Sequence, residues 1–165
     1  MNKTKNKMDV HFSSSHHAWE TPPELFNEYD EKFHFDLDVC ATDENAKCEA
    51  HFTPEDDGLA QEWTGTCWMN PPYGRGIDKW IKKAYESDDA TVVCLLPART
   101  DTAWFHDYIL KARMKGEATV EFLRGRVKFV GAKNSAPFPS MIVVFLSAEE
   151  VYRIYGGVES YVDGT

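Results

Sequence analysis

The sequence predicts an α/β fold in one domain, with strands alternating with helices around a mostly parallel sheet, and three observations carry that expectation. Apolar runs of strand length (Cys67-Trp68-Met69, Thr91 to Leu96, Met141 to Leu146) are separated by stretches whose apolar residues recur every three or four positions. The run Thr91-Val92-Val93-Cys94-Leu95-Leu96 is apolar on both faces, as a strand must be when helices cover it above and below. With 165 residues, 42% of them hydrophobic, the chain has the size of one domain that can bury a core without disulfides or metal.

Residues 1–18 read as a disordered polar tail and 19–165 as the single domain, with no separate target-recognition domain. Thr21-Pro22-Pro23-Glu24 has the form of a helix start, with Thr21 as N-cap, Pro22 at the first helical position and Glu24 closing a capping box. Leu25, Phe26, Tyr29 and Phe33 then share a face. Phe33 to Ala41 alternates apolar with polar residues, which predicts a strand followed by a short polar turn through Asp43. Cys67-Trp68-Met69 is a strand that stops at Asn70-Pro71-Pro72, since proline cannot donate to a ladder. Ile77, Trp80, Ile81 and Ala84 recur at helical spacing with Lys79, Lys82 and Lys83 opposite. Thr91 to Leu96 is a buried strand ended by Pro97; Trp104, Phe105, Tyr108, Ile109 and Ala112 predict a further helix. Val120 to Leu123 and Met141 to Leu146 close the pattern as strands, linked through Pro137 and Pro139. The 28 residues from Thr42 to Met69 are too few for two strand-helix units, so the sheet is expected to be trimmed, with one crossover helix reduced or missing.

The formal charge of −9 argues against a nucleic-acid partner, but the charge is unevenly placed. Residues 1–65 hold 5 Lys/Arg against 15 Asp/Glu, whereas residues 66–165 hold 13 against 12. Lys111 to Lys133 alone contains seven basic and two acidic residues, a local basic region on an acidic protein. The four cysteines, Cys40, Cys48, Cys67 and Cys94, form no C-x-x-C pair and read as buried thiols in a reducing cytoplasm rather than as disulfides or zinc ligands. No segment reaches the roughly 20 apolar residues of a membrane span, and the first residues lack the apolar core of a signal peptide.

Ligands of open α/β sheets bind beyond the carboxyl ends of the strands, and Asp38 and Asn70 both stand at such ends. Asn70-Pro71-Pro72-Tyr73 is the most specific signal. An amine conjugated to a planar ring is a poor nucleophile because its lone pair is delocalised; drawing both N–H bonds to acceptors localises that pair. The Asn70 side-chain carbonyl and the Pro71 backbone carbonyl can be those acceptors. Prolines 71 and 72 fix φ near −65° and hold them in place beforehand. Tyr73 offers a flat face for a planar substrate. Among the blander features, His16-His17 reads as idle, Trp68, Trp80 and Trp104 as core, Asp56-Asp57 as no metal site, and Arg99 with Asp101 as either an ion pair or a substrate contact.

Taken in order, Trp19-Glu20-Thr21-Pro22, Asp36 to Ala41, Asn45, Asp57-Gly58-Leu59 with Trp63, Asn70 to Gly74, Leu96 to Asp101 with Trp104-Phe105-His106, and Gly125 to Phe129 resemble the phage DNA N-6-adenine-methyltransferase (Dam-like) family. The resemblance implies a Rossmann-like, S-adenosylmethionine-dependent methyltransferase sheet. It also implies a cofactor held by Trp19, Thr21, Pro22, Asp38, Cys40, Ala41, Asn45, Asp57 and Leu59, with catalysis by Asn70, Pro71, Pro72 and Tyr73. The target base would lie between Tyr73 and Phe129, and the DNA backbone would meet Arg75, Arg99, Arg124, Arg126 and Lys128. No metal is implied, and phage genome modification is the implied role. A glycine-rich turn after the first strand, common in such enzymes, is replaced by Ala41-Thr42-Asp43. RNA adenine, a guanine amine or a protein glutamine would suit the same motif, and a non-catalytic module binding DNA or a host protein is the alternative of another class. Oligomeric state is not legible.

Overall fold

The computed structural model describes residues 19–156. The tail expected at 1–18, His16-His17 included, lies outside the described residues, as does 157–165. Helix α1 (Pro23–Phe33) leads to the short strand β1 (Leu37–Asp38), a single 3-10 turn (Gly58–Ala60) and β2 (Gly65–Met69). Then come α2 (Ile77–Glu86), β3 (Ala90–Pro97), a π-helical turn (Phe105–Leu110) running into α3 (Lys111–Met114), β4 (Ala118–Phe122), β5 (Ser140–Phe145) and α4 (Ala148–Tyr155).

The sheet has five strands in the order β1-β2-β3-β5-β4. β1, β2 and β3 are parallel, whereas β5 runs antiparallel to both its neighbours. The expectation of a mostly parallel sheet is thus met on one side only, because β5 inserts between β3 and β4 against the direction of both. As a consequence the carboxyl ends of β1, β2, β3 and β4 share one rim.

Period-two alternation splits the sheet between two cores. Cys67, Met69, Val92, Cys94, Leu96, Met141, Val143 and Phe145 pack with Ile77, Ile81, Phe105, Ile109 and Ala112. Trp68, Val93, Leu95, Ile142 and Val144 face the other way, onto Phe26 and Tyr29 of α1 and onto Phe129 and Ala136 of the 123–139 loop. Both faces are therefore covered, as the apolar runs required.

Between β1 and β2 the crossover helix is absent; only the 3-10 turn remains. In its place residues 50–52 run along the free edge of β1, with Asp38 N–H donating to Ala50 O, Phe52 N–H to Asp38 O and Ala41 N–H to Phe52 O. Gly58 lets this turn lie flat on β1, since a Cβ there would meet the Val39 carbonyl at 2.4 Å.

Two local expectations fail. The residue flanking α1 is Pro22, the helix begins at Pro23, and no side chain caps it, so neither Thr21 as N-cap nor the capping box forms. The Phe33 to Ala41 strand shrinks to two residues, because Phe33 closes α1 and His34 takes a left-handed φ of 54°. The helix expected through Trp104 to Ala112 is present, wound as a π turn over Phe105–Leu110 before it continues as α3. Sequence reading also missed α4, although Ser147 with Glu150 has capping-box spacing; Ser147 Oγ accepts the Glu150 N–H at 3.2 Å.

Candidate active site

β2 delivers Asn70 just past its end, where the prolines stop pairing. The Asn70 amide nitrogen donates to the Trp19 carbonyl at 2.7 Å and to the Thr21 hydroxyl at 3.1 Å. Its oxygen, Oδ1, is closed off from solvent and has no hydrogen-bond partner among the described residues. A buried acceptor left unpaired costs about 1–3 kcal/mol, so an atom in that state calls for a reason. Pro71 O accepts no backbone hydrogen bond among the described residues either. The motif then turns through Gly74 and Gly76 at φ of 106° and 93°, which a side chain would strain, before α2 starts.

The Tyr73 hydroxyl donates to Leu95 O at 3.1 Å, and burial pushes its pKa far up, so it remains a neutral donor. Its ring belongs to an aromatic group. Trp19 lies nearly parallel to it, with ring centres 6.1 Å apart, while Phe138 and Phe129 stand edge-on at 5.6 Å and 6.3 Å. Phe129, 1% exposed, thus meets Tyr73 by its edge, and the ring that faces Tyr73 is Trp19. Phe138 was not anticipated; an apolar residue between Pro137 and Pro139 was its only signal.

A shallow cleft adjoins this group and a second follows it. The first brings together Trp19, Thr21, Asp38, Cys40, Asn45 and Asn70, six positions separated by up to 51 residues in sequence and all expected. It also includes Glu20 and Lys47, an ion pair at 3.4 Å that was not anticipated. The second is lined by Cys40, Ala41, Asp57 and Leu59, as expected, and by Phe52 and Trp80, which were not. Cys40 borders both. Pro22 lines neither of them; its carbonyl accepts the Phe26 N–H and starts α1.

Asp38 is 3% exposed at the end of β1, and its carboxylate accepts the backbone N–H of Cys40 at 3.2 Å and of Lys47 at 3.0 Å. Burial raises its pKa to about 6 against the opposing pull of those bonds. The missing glycine-rich turn is replaced by a reciprocal pair: Thr42 N–H donates to Asn45 Oδ1 at 2.7 Å, and Asn45 N–H to Thr42 Oγ1 at 3.3 Å. Asp57 holds a left-handed φ of 55° and exposes its carboxylate beside the second cleft. Trp63 and Trp80 stack at 6.2 Å, and the Trp63 ring N–H fixes Gly58 O at 2.9 Å. Burial pushes the Cys40 and Cys94 thiols well up, which keeps them protonated and unreactive.

Arg75, Arg99, Arg124, Arg126 and Lys128 are all exposed, and none has an acidic partner at ion-pair distance among the described residues. Arg99 therefore makes no pair with Asp101; its guanidinium lies 5.9 Å from the Phe138 ring centre. These residues follow the ends of β2, β3 and β4, on the rim that carries Asp38 and Asn70. An open groove runs from Trp19 along Gly131 to Pro137, past Lys133. No helix among the described residues is long and apolar enough to cross a membrane.

The family model described as DNA N-6-adenine-methyltransferase (Dam) matches residues 10–163. The DNA N-6-adenine-methyltransferase of Haemophilus phage HP1 (strain HP1c1) is 31% identical over 152 residues, covering 86% of this chain and 83% of that protein. The protein of the same name from Escherichia phage T1 is 37% identical over 92 residues, 53% of this chain and 38% of that one. Among solved structures, wild-type Trm5b from Pyrococcus abyssi aligns with a TM-score of 0.40 at 16% identity, over 79% of this chain and 51% of that one.

Proposed function

This chain belongs to the DNA N-6-adenine-methyltransferase (Dam) family, and from that premise we propose how its residues carry out methyl transfer to the adenine amine of DNA. The observation that carries the reading is the Asn70 carboxamide, with both N–H groups engaged and Oδ1 left free. Oδ1 accepts one N–H of the adenine amine and the Pro71 carbonyl accepts the other. The nitrogen lone pair is thereby drawn out of the ring and made nucleophilic. Oδ1 is closed off until the base opens the Trp19–Tyr73 pair, but the orientation of both acceptors is set by the fold beforehand.

S-adenosylmethionine supplies the methyl group as an electrophile on a sulfonium. The clefts fit such a donor. Asp38, Asn45, Trp19 and Thr21 form a polar end beside Asn70, while Phe52, Leu59 and Trp80 form an apolar slot with the Asp57 carboxylate at its mouth. The first suits an amino-acid group and the second a purine with its amine toward Asp57. Cys40 and Ala41 join the two.

The target base is extruded from the duplex and stacks on Tyr73. Two rings that sandwich a third stand about 7 Å apart, twice the contact distance of carbon atoms. Trp19 and Tyr73, at 6.1 Å, are closer than that, so the base displaces the indole or spreads the pair. Phe129 and Phe138 close the pocket by their edges. Arg75, Arg99, Arg124, Arg126 and Lys128 hold the phosphates, which makes binding weaken steeply with salt. Sequence readout falls to the exposed 74–76 and 123–139 loops on this rim and is short or loose.

The decisive assay incubates purified protein with tritiated S-adenosylmethionine and unmethylated duplex DNA. Label is expected in N6-methyladenine; label confined to RNA, guanine or protein acceptors, or none at all, would refute the assignment.

A further inference from the structure

The Thr21 hydroxyl, which the sequence offers to the start of α1, makes no bond there. It lies in a residue only 1% exposed, and it accepts one of the two N–H protons of Asn70 at 3.1 Å. The Trp19 carbonyl accepts the other at 2.7 Å. We propose that Thr21 is a positioning residue for methyl transfer: together with the Trp19 carbonyl it clamps the Asn70 carboxamide so that Oδ1 faces the substrate amine. The inference rests on the role given to Asn70 above.

A carboxamide can be turned end for end with almost no change of shape, so its sense must be set by its neighbours. The Trp19 carbonyl can only accept, and in the reversed orientation it would meet Oδ1 instead of an N–H. That contact sets the sense. Thr21 takes the second proton and thereby fixes the plane of the group. It also leaves no N–H to compete for the place of the substrate amine. Two donated bonds shift electron density from the amide nitrogen toward Oδ1, which makes that oxygen the stronger acceptor. The clamp has a firm base. Glu20 O accepts the Val130 N–H at 2.9 Å, and Pro22 O accepts the Phe26 N–H at 3.1 Å, so segment 19–22 is tied to the 123–139 loop on one side and to α1 on the other. Removing the hydroxyl leaves a buried N–H without a partner. The carboxamide then rotates to find one, and Oδ1 moves away from the amine.

The test compares wild type with Thr21→Val, which keeps the shape and loses the acceptor, and Thr21→Ser, which restores it. Steady-state labelling of duplex DNA is expected to show kcat reduced about ten- to hundredfold in Thr21→Val, as for other groups that orient a contacting residue, and near normal in Thr21→Ser. KM for DNA should stay within about threefold of wild type in both, and any fall in calorimetric affinity for S-adenosylmethionine, whose cleft Thr21 also lines, should be smaller than the fall in kcat. A second readout needs no turnover: in ¹H–¹⁵N spectra of the free protein, the Asn70 carboxamide protons should exchange slowly in wild type and Thr21→Ser. In Thr21→Val they should exchange at least about tenfold faster, once one buried bond is gone. If Thr21→Val melts below the assay temperature, Thr21→Ala and the exchange measurement decide. Unchanged kcat, unchanged exchange, or a loss confined to cofactor affinity in Thr21→Val would each overturn the clamp while leaving the methyltransferase reading intact. Wild-type protein that labels no adenine would instead overturn that reading, and the role of Thr21 in catalysis with it.

Discussion

The two rims of the sheet obey different rules. At the rim where β3 begins and β5 ends, polar groups find partners, local and distant alike: Ser147 caps α4, its N–H reaches Thr91 Oγ1 at 3.1 Å, and Ala148 N–H reaches Asp88 O at 2.8 Å. At the opposite rim the same kinds of residue are left in debt. Asn70 Oδ1 and Ser140 Oγ are buried without partners among the described residues, Asp38 is a buried carboxylate, and Asp57 is twisted to positive φ. A cap threonine abandons its helix to hold Asn70. Local rules fail on the rim where the proposed site stands, as they do wherever a fold holds polar atoms for something other than its own stability.

The contrast is open to attack, the largest effect first. Phe145→Ala, at the satisfied rim, should lower unfolding free energy by roughly 3–5 kcal/mol by emptying a packed site. It should leave kcat unchanged when assayed well below the melting temperature. A proportionate fall in kcat would mean that the rims are not separable. Asn70→Ala should do the reverse: kcat falls about 10²–10³-fold through loss of a preorganised acceptor, while denaturant titration moves by no more than about 1 kcal/mol.

Asp38 sharpens the contrast through pH. Its folded pKa of about 6 lies above the ordinary carboxylate value of 3.8, so the folded state holds the proton more tightly than the unfolded state. Stability from this group therefore falls as pH rises between those two values, by an amount on the order of 2–3 kcal/mol. Asp38→Asn should remove that slope from the difference between the two melting curves, measured from pH 3.5 to 7; parallel curves would show that the carboxylate is not held in a low-dielectric site. The smallest effect belongs to Ser147→Ala, which should cost about 1 kcal/mol through the lost cap and change no kinetic constant.

Much of this was legible in residue patterns. Continuous apolar runs in β3 and β5 announced a sheet covered on both faces, helical spacing placed α2, and the short interval between Thr42 and Met69 foretold the lost crossover helix. Asn70-Pro71-Pro72-Tyr73 announced a pair of acceptors. The misreadings differ in kind. Thr21 has a perfect local use as a cap, and nothing nearby in sequence says that Asn70 will claim it; Phe33 to Ala41 alternates, but α1 runs on through Phe33; α4 carried its cap signal at Ser147 and Glu150 and was overlooked.

Composition, periodicity and the proline-locked motif by themselves determined the class of fold, the strand that ends in the motif and the two acceptors it offers, because each depends on residues within one or two turns of one another. Only the folded chain decided that Thr21 and Trp19 reach Asn70 across about 50 residues, that Trp19 rather than Phe129 faces Tyr73, and that β5 reverses beside β3. Those choices are settled by which buried donors and rings compete for the same few partners, a competition that exists only once distant segments have been packed together.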